Sequence, residues 1–340
     1  MQVRELTDRE CTAWDDFVRA TLGGTFFHLS AWREVIRRAF GHRCHYLYAE
    51  QDGVITGVLP LAHVKSRLFA NALISTPFCV YGGPVAVDRA SRQGLEDAAA
   101  QLARRLNVDY LELRNLSAGR ADWVQKPLYV TFRKSLATDV EENFRAIPRK
   151  QRAMVRKGIE AGLKAEIDAG VDRLYRAYAQ SLRNLGTPVF SKRYLRLLKA
   201  QFGDDCEVLT VTKDGELVAS VMSFYFKDEV LPYYGGGVAA ARELKGNDFM
   251  YWEVMKRACE RGITVFDYGR SKRDTGSYRF KKHWGFEPME LHYQYLLVNA
   301  KEMPNLSPTN PRYEKAIAAW KRLPLVVTNG LGPWLARSLG

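Results

Sequence analysis

Phe202-Gly203-Asp204-Asp205-Cys206-Glu207-Val208-Leu209-Thr210-Val211-Thr212-Lys213-Asp214-Gly215 reads as a strand running into a hairpin. Val and Thr crowd positions 208–212, and Asp-Gly suits the positive-φ residues of a two-residue turn. The same punctuation stands earlier, in Phe40-Gly41-His42-Arg43-Cys44 and Asp52-Gly53; 203 − 41 and 215 − 53 are both 162. Tyr81-Gly82-Gly83-Pro84-Val85 is echoed by Tyr234-Gly235-Gly236-Gly237-Val238, and Tyr110-Leu111-Glu112-Leu113-Arg114 by Phe266-Asp267-Tyr268-Gly269-Arg270. Four echoes in one order, at similar offsets, mark a duplicated domain, because solenoid repeats are far shorter.

Around these echoes the second copy reads as a basic helix (139–161), a strand (163–167) and two helices (172–185, 191–202). A three-strand meander (207–212, 217–226, 230–238) follows, then a helix (247–261) and a strand (264–268). A short helical segment (278–284) and a last strand (291–298) close the copy. The first copy runs in the same order from Val3 to about Ala137. The expected fold is α/β, a mixed (α+β) sheet with helices on its faces, in two tandem domains at 1–138 and 139–300 with a tail at 301–340. This element order resembles the GNAT-type acyltransferase fold, which raises the expectation of acyl transfer without establishing it.

Composition narrows the class. The 340 residues are 46% hydrophobic and 26% charged, an ordinary globular balance with room for two cores. No apolar run is long enough to span a bilayer, and Met1-Gln2-Val3-Arg4-Glu5 lacks the apolar core of a signal peptide, so a cytoplasmic location is expected. Five widely spaced cysteines without a CxxC suggest reduced thiols; His42, Cys44 and His45 have no second ligand pair, so no metal is expected. The net charge of +13 favours polyanions (RNA, anionic lipid or phosphorylated small molecules) or simply a solvated surface.

The richest stretch is Phe266-Asp267-Tyr268-Gly269-Arg270-Ser271-Lys272, leading to Thr275-Gly276-Ser277-Tyr278-Arg279-Phe280-Lys281-Lys282-His283-Trp284-Gly285-Phe286. It resembles the FemAB family of aminoacyl transferases, in particular the Gram-negative subgroup associated with exosortase and exopolysaccharide systems. Phe27-His28, Trp32, Tyr81-Gly82-Gly83-Pro84 and the basic helix from Arg149 to Lys157 match as well. The resemblance covers roughly residues 1–300 and is strongest at 264–288. It implies two GNAT-like domains, transfer of an acyl group to an amine, and no metal; no bound cofactor and no DNA partner are expected. Donors would be aminoacyl-tRNA or acyl-coenzyme A, and the acceptor a peptidoglycan or exopolysaccharide precursor. The family's transition-state lysine falls on Lys281.

Chemistry supports a site here. Aminolysis passes through a tetrahedral oxyanion, which a fixed ammonium or N–H stabilises. Lys281 is read as opening a short helix, whose N-terminus would add to the positive field. Arg270, Ser271, Lys272, Gly276, Tyr278 and Phe280 are read as donor-binding, with Arg152 and Arg156 on the basic helix tracking a phosphate backbone. Asp267 reads two ways, as a base for the amine proton or as a buried partner for a cation. Tyr234 reads as a proton donor to the leaving group, with its glycines admitting a ligand, or as a strand end that needs bends. His28, Trp32, Arg33 and Tyr81 would lie near the acceptor, although Trp32 equally suits a core.

Two features depart from the coenzyme A pattern. In Arg242-Glu243-Leu244-Lys245-Gly246-Asn247-Asp248 the glycine comes late, and Asp248 stands where phosphate would dock. The first copy has Asp88-Arg89-Ala90-Ser91-Arg92 there, so a lost donor site and an acceptor-holding role are expected of it. In the tail, Pro304, Pro308 and Pro311 suggest a linker. Tyr313, Ile317, Trp320 and Leu323 then form a narrow stripe, followed by Trp334, Leu335 and Leu339, that rests on an anionic membrane at the inner face or packs back on a domain. A coenzyme A-dependent N-acetyltransferase and a non-catalytic binder of tRNA or envelope precursors stand as alternatives to the aminoacyl transferase.

Overall fold

The computed structural model describes residues 1–66, 71–303 and 311–338; Pro304, Pro308 and Leu339 lie outside them. The chain forms two compact units. Unit 1 comprises 1–129, 290–307 and 337–340, and unit 2 comprises 130–289 and 308–336.

Unit 1 begins with β1 (Gln2–Glu5), α1 (Cys11–Ala20), α2 (Ala31–Phe40), β2 (Arg43–Gln51), β3 (Val54–Lys65), β4 (Asn71–Ser75) and β5 (Val85–Ala86). It continues through α3 (Arg89–Arg105), β6 (Tyr110–Asn115) and β7 (Val124–Gln125). Unit 2 is built from β8 (Tyr129–Ser135), α4 (Val140–Ala146), α5 (Arg149–Glu160), β9 (Lys164–Asp168), α6 (Asp172–Leu185), α7 (Lys192–Phe202) and β10 (Cys206–Lys213). Next come β11 (Glu216–Phe226), β12 (Glu229–Gly237), α8 (Ala240–Glu243), α9 (Gly246–Glu260), β13 (Val265–Asp267), β14 (Ser271–Lys272), α10 (Gly276–His283) and β15 (Pro288–Glu290). β16 (His292–Leu297) follows, and α11 (Pro311–Arg322) and α12 (Leu325–Ala336) end the chain.

The duplication reaches down to single residues. Asp52 (φ 52°) and Gly53 (φ 79°) turn β2 into β3 as Asp214 (φ 50°) and Gly215 (φ 82°) turn β10 into β11. Each hairpin also slips register at the same place, between Ala49 and Glu50 in one and Val211 and Thr212 in the other. A bulge kept at equivalent positions is a designed bend. The basic helix expected over 139–161 is broken, because Pro148 forces Ile147 out of helical geometry (ψ 131°).

The sheets run β1-β2-β3-β4-β6-β16-β7 and β14-β8-β13-β12-β11-β10-β9, with β5 beside β3 and β15 beside β8. The last strand of the second copy therefore pairs antiparallel with β6, from His292↔Asn115 to Leu297↔Tyr110. The strand that ends the first copy pairs instead with β13, from Val265↔Ser135 to Asp267↔Arg133. In unit 2, α9 covers one face of the sheet through Phe249, Met250 and Val254, in a core with Val130, Phe132, Phe266 and Trp284. In unit 1 the corresponding core joins Leu95 and Ala99 of α3 to Leu59, Leu111 and Leu113.

The three glycines of β12 serve packing. A Cβ on Gly236 would come within 2.5 Å of the Ser181 side chain and 2.8 Å of the Ala177 carbonyl on α6. One on Gly237 would come within 2.4 Å of Ala241. These residues let helices lie close on the strand, so their bareness needs no ligand. In the tail, Ile317 of α11 sits against Gly186 at the end of α6, and Gly332 of α12 against Val189. Gly236→Ala should therefore cost about 1–3 kcal/mol by overpacking. An unchanged midpoint in urea unfolding would contradict this packing role.

Candidate active site

β12 and β13 run parallel, but their pairing covers only Glu229↔Val265 and Val230↔Phe266. β12 then continues along β11 to Gly237, while β13 stops at Asp267. The two strands part at the C-terminal end of β13, where open α/β sheets bind ligands.

The side chains of the motif hold that parting open. Asp267 is fully buried, and its Oδ1 accepts from Gly269 N at 2.8 Å and from Thr131 Oγ1 at 3.4 Å. Gly269 takes φ 69°, a left-handed turn that favours glycine, and carries the chain away from β12. Lys281 lies in the last turn of α10, not at its start, so the helix N-terminus adds nothing to its field. The cap of α10 is Thr275, whose hydroxyl accepts from Tyr278 N. Lys281 Nζ donates to Gly269 O at 2.8 Å and Arg270 O at 3.1 Å. It also stands 5.5 Å from the Phe132 ring centre and 5.7 Å from that of Tyr268, within cation–π range.

Burial pushes the Lys281 amine down to about 7; the Asp267 carboxylate works against this fall and the Arg270 guanidinium adds to it. Near neutral pH the amine is thus balanced between its charged and neutral forms. Asp267, enclosed and already accepting from Gly269 and Thr131, is placed to shape the turn more than to reach an incoming amine. Arg270 and Lys272 are half-buried, and the hydroxyl of buried Ser271 has no hydrogen-bond partner among the described residues. Tyr278 meets Phe132 edge-on, and Phe280 stacks on Tyr268. Gly276 opens α10 on an open surface.

The other expected site residues are placed elsewhere in unit 2 or in unit 1. Tyr234 belongs to an aromatic cluster with Tyr178 and Phe190, its hydroxyl 2.7 Å from that of Tyr194. Arg152 donates to Arg145 O, and Arg156 lies over the Phe144 ring, while Arg149, Lys150 and Lys157 are exposed. In unit 1, Trp32 is wholly buried with Nε1 on Phe26 O, and Arg33 reaches Leu6 O and Asp8. His28 and Tyr81 do come together, lining a pocket of about 150 Å³ with Arg92, Arg114 and Asn115. His28 Nδ1 faces the Thr25 N–H, so Nε2 carries the proton given to Gly83 O at 2.8 Å. His42 and His45 are engaged by Arg337 O and Glu5 respectively. No described group of three His, Cys, Asp or Glu is arranged to hold a metal.

Three features were illegible in the sequence. Asp248 does not face a phosphate position: its carboxylate accepts from Gln151 and from Trp284 Nε1 at 3.2 Å, and burial raises its pKa. Among the described residues no side chain caps the N-terminus of α9, whereas Asp88 caps α3, accepting from Ser91 N at 2.7 Å. In unit 1 the strands that correspond to β12 and β13 are bridged beyond their pairing. Arg114 N donates to Ser75 Oγ at 2.8 Å, and Gly83 N to Arg114 O at 3.0 Å.

Residues 142–282 match the family model described as an acetyltransferase (GNAT) domain. A structure of FemX aligns with a TM-score of 0.64 at 16% identity, covering 93% of this chain and 100% of that one. This chain is a tandem GNAT-fold protein. A tandem GNAT protein from the clavulanic acid biosynthesis pathway aligns at 0.57 and 13% identity, covering 88% and 99% of the two chains. L-PGS from Bacillus licheniformis aligns at 0.57 and 13%, covering 94% and 98%. A search of curated protein sequences gives no significant match. In this tandem GNAT protein the second unit is an acyltransferase domain, and the parting of β12 from β13 lies within the matched segment.

The buried amine leaves a thermodynamic signature. In the unfolded chain Lys281 titrates near its ordinary value, ~10.4. Between pH about 7 and ~10.4 the unfolded chain holds a proton that the folded chain has released, so this group makes stability rise with pH across that window. Below about 7 both states are charged and the burial cost is felt in full. Lys281→Met removes the titration. Its stability relative to wild type should become steadily less favourable from about pH 7 to about pH 10. A difference that stays flat in chemical unfolding would show that the amine is not perturbed by burial.

Proposed function

We propose that this protein is an N-acyltransferase of FemAB type, moving an aminoacyl or related acyl group to an amine of a cell-envelope precursor on the cytoplasmic side. The observation that carries the reading is the parting of β12 and β13, with Lys281 fixed beside it. An ester or thioester carbonyl entering where the strands part would meet the positive field of Lys281. As the amine attacks, negative charge gathers on the carbonyl oxygen, and a preorganised cation stabilises that charge more than it stabilises the ground state. Lys281 has a second task, holding the Gly269 and Arg270 carbonyls so that Arg270 and Lys272 stay at the mouth of the gap. Asp267 positions the same turn from its N–H side. Arg156 and the exposed cations around it offer a phosphate track for a tRNA-borne donor.

Unit 1 supports the acceptor-holding role. Its strand gap is bridged by Ser75, Gly83 and Arg114, which leaves the pocket beside His28 and Tyr81.

A second reading, acyl-coenzyme A as donor, gains from two observations. Asp248 is turned inward, and the N-terminus of α9 is free of a side-chain cap. Backbone N–H groups there suit a pyrophosphate. The two donors separate in one titration, of mixed aminoacyl-tRNA and of acetyl-coenzyme A, at low and near-physiological salt. Preference for charged over uncharged tRNA that survives added salt is the expected result. Saturable coenzyme A binding, with tRNA binding that ignores acylation and fades with salt, would transfer the assignment to the second reading. With the identified donor, Lys281→Met should lower turnover by about 100-fold or more while the far-UV spectrum is kept. Near-normal turnover would remove Lys281 from the chemistry.

A further inference from the structure

α12 is built the wrong way round for a helix facing water. Its twelve residues, Leu-Val-Val-Thr-Asn-Gly-Leu-Gly-Pro-Trp-Leu-Ala, include no charge. Thr328, Gly332 and Ala336 face inward and are buried, with Gly332 seated on Val189. At ~100° per residue, the opposite side carries Val326, Val327, Gly330, Leu331 and Trp334, spanning roughly 140°. Val326 is 84% exposed, Leu331 51% and Trp334 58%. That arc contains no polar side chain. A helix apolar on all sides is normally enclosed by protein or set against lipid.

The surroundings say which. α11 ends in Lys321 and Arg322, both exposed, with Lys315 exposed one and a half turns before, and Arg337 follows α12 in sequence. A Trp beside aliphatic side chains, bounded by cations, matches the gradient from acyl chain to anionic headgroup. A two-fold contact with a second copy would instead bring these cations toward their own images. Among the described residues no helix is long and apolar enough to cross a membrane, so the helix would lie on the surface. The stripe anticipated on α11 is not the contact, since Ile317 packs against Gly186.

We propose that the outward face of α12 docks this protein on an anionic membrane surface, with Val326, Leu331 and Trp334 entering the interface and Lys321 and Arg322 meeting acidic headgroups. This rests on α12 and its flanks alone, and holds whichever donor is used. The test is flotation of the full-length protein with phosphatidylcholine vesicles, with and without phosphatidylglycerol. Phosphatidylglycerol should raise the bound fraction about 10-fold, and high salt should reduce it. The triple variant Val326→Ser, Leu331→Ser, Trp334→Ser changes only exposed positions. It should keep the wild-type unfolding midpoint and lose at least about 10-fold in vesicle binding. Lys321→Glu with Arg322→Glu should lose the phosphatidylglycerol preference. No vesicle binding, or binding unchanged in the triple variant, overturns the proposal. So does a lipid-free dimer in sedimentation that the triple variant abolishes, which would assign the face to a second copy.

Discussion

The peptide of Gly269 is gripped at both ends. Its N–H is taken by Asp267 and its carbonyl by Lys281, each at 2.8 Å. Both partners are buried, where an unmade hydrogen bond to a charged group is expensive, so the turn has little freedom to relax. Its left-handed backbone points the chain away from β12 just as the parallel pairing ends. The gap between the strands, the positions of Arg270 and Lys272, and the seating of α10 against β8 all follow from that grip.

The first copy shows what happens when the grip is not made. At the position of Arg270 it carries Arg114, which is buried and turned inward. Arg114 Nε donates to Glu112 at 2.8 Å and Nη1 to Cys79 O at 2.7 Å. Its own backbone then accepts from Gly83 N, joining the strand to the loop that follows β4. Duplication supplied the same strand and the same arginine twice. A different set of hydrogen bonds made one end a gap and the other a seam.

Much of this was legible in the sequence, for a physical reason. Turns and bulges are local devices, so Asp52-Gly53 and Asp214-Gly215 announce two equivalent hairpins before any contact is known. The motif at 266–286 likewise placed Asp267, Lys281 and Arg270 in one neighbourhood. What stayed hidden depends on distant partners. Nothing in His292–Leu297 says that it prefers β6, because an alternating apolar strand fits either sheet edge. Asp248 looked like an obstacle to phosphate until Gln151 and Trp284 were seen to claim it. Gly235-Gly236-Gly237 read either as room for a ligand or as bends at a strand end, while α6 lies against Gly236 and α8 against Gly237. Trp32 and Arg33 neighbour His28 in the chain, yet helix periodicity sends them to the core and to Asp8.

The pairing of β16 with β6 also sets an order of events during synthesis. The edge of β6, Tyr110–Asn115, is made early, and its partner emerges only after the whole of unit 2's sheet has been translated. At ~5–20 residues per second, the delay is on the order of 10–40 s. For that time a nascent chain displays a strand edge carrying Tyr110, Leu111 and Leu113 with its hydrogen-bonding groups open. A ribosome carrying this message is therefore a natural client for a chaperone, and stalling between the two strands would be more hazardous than stalling before the first or after the second.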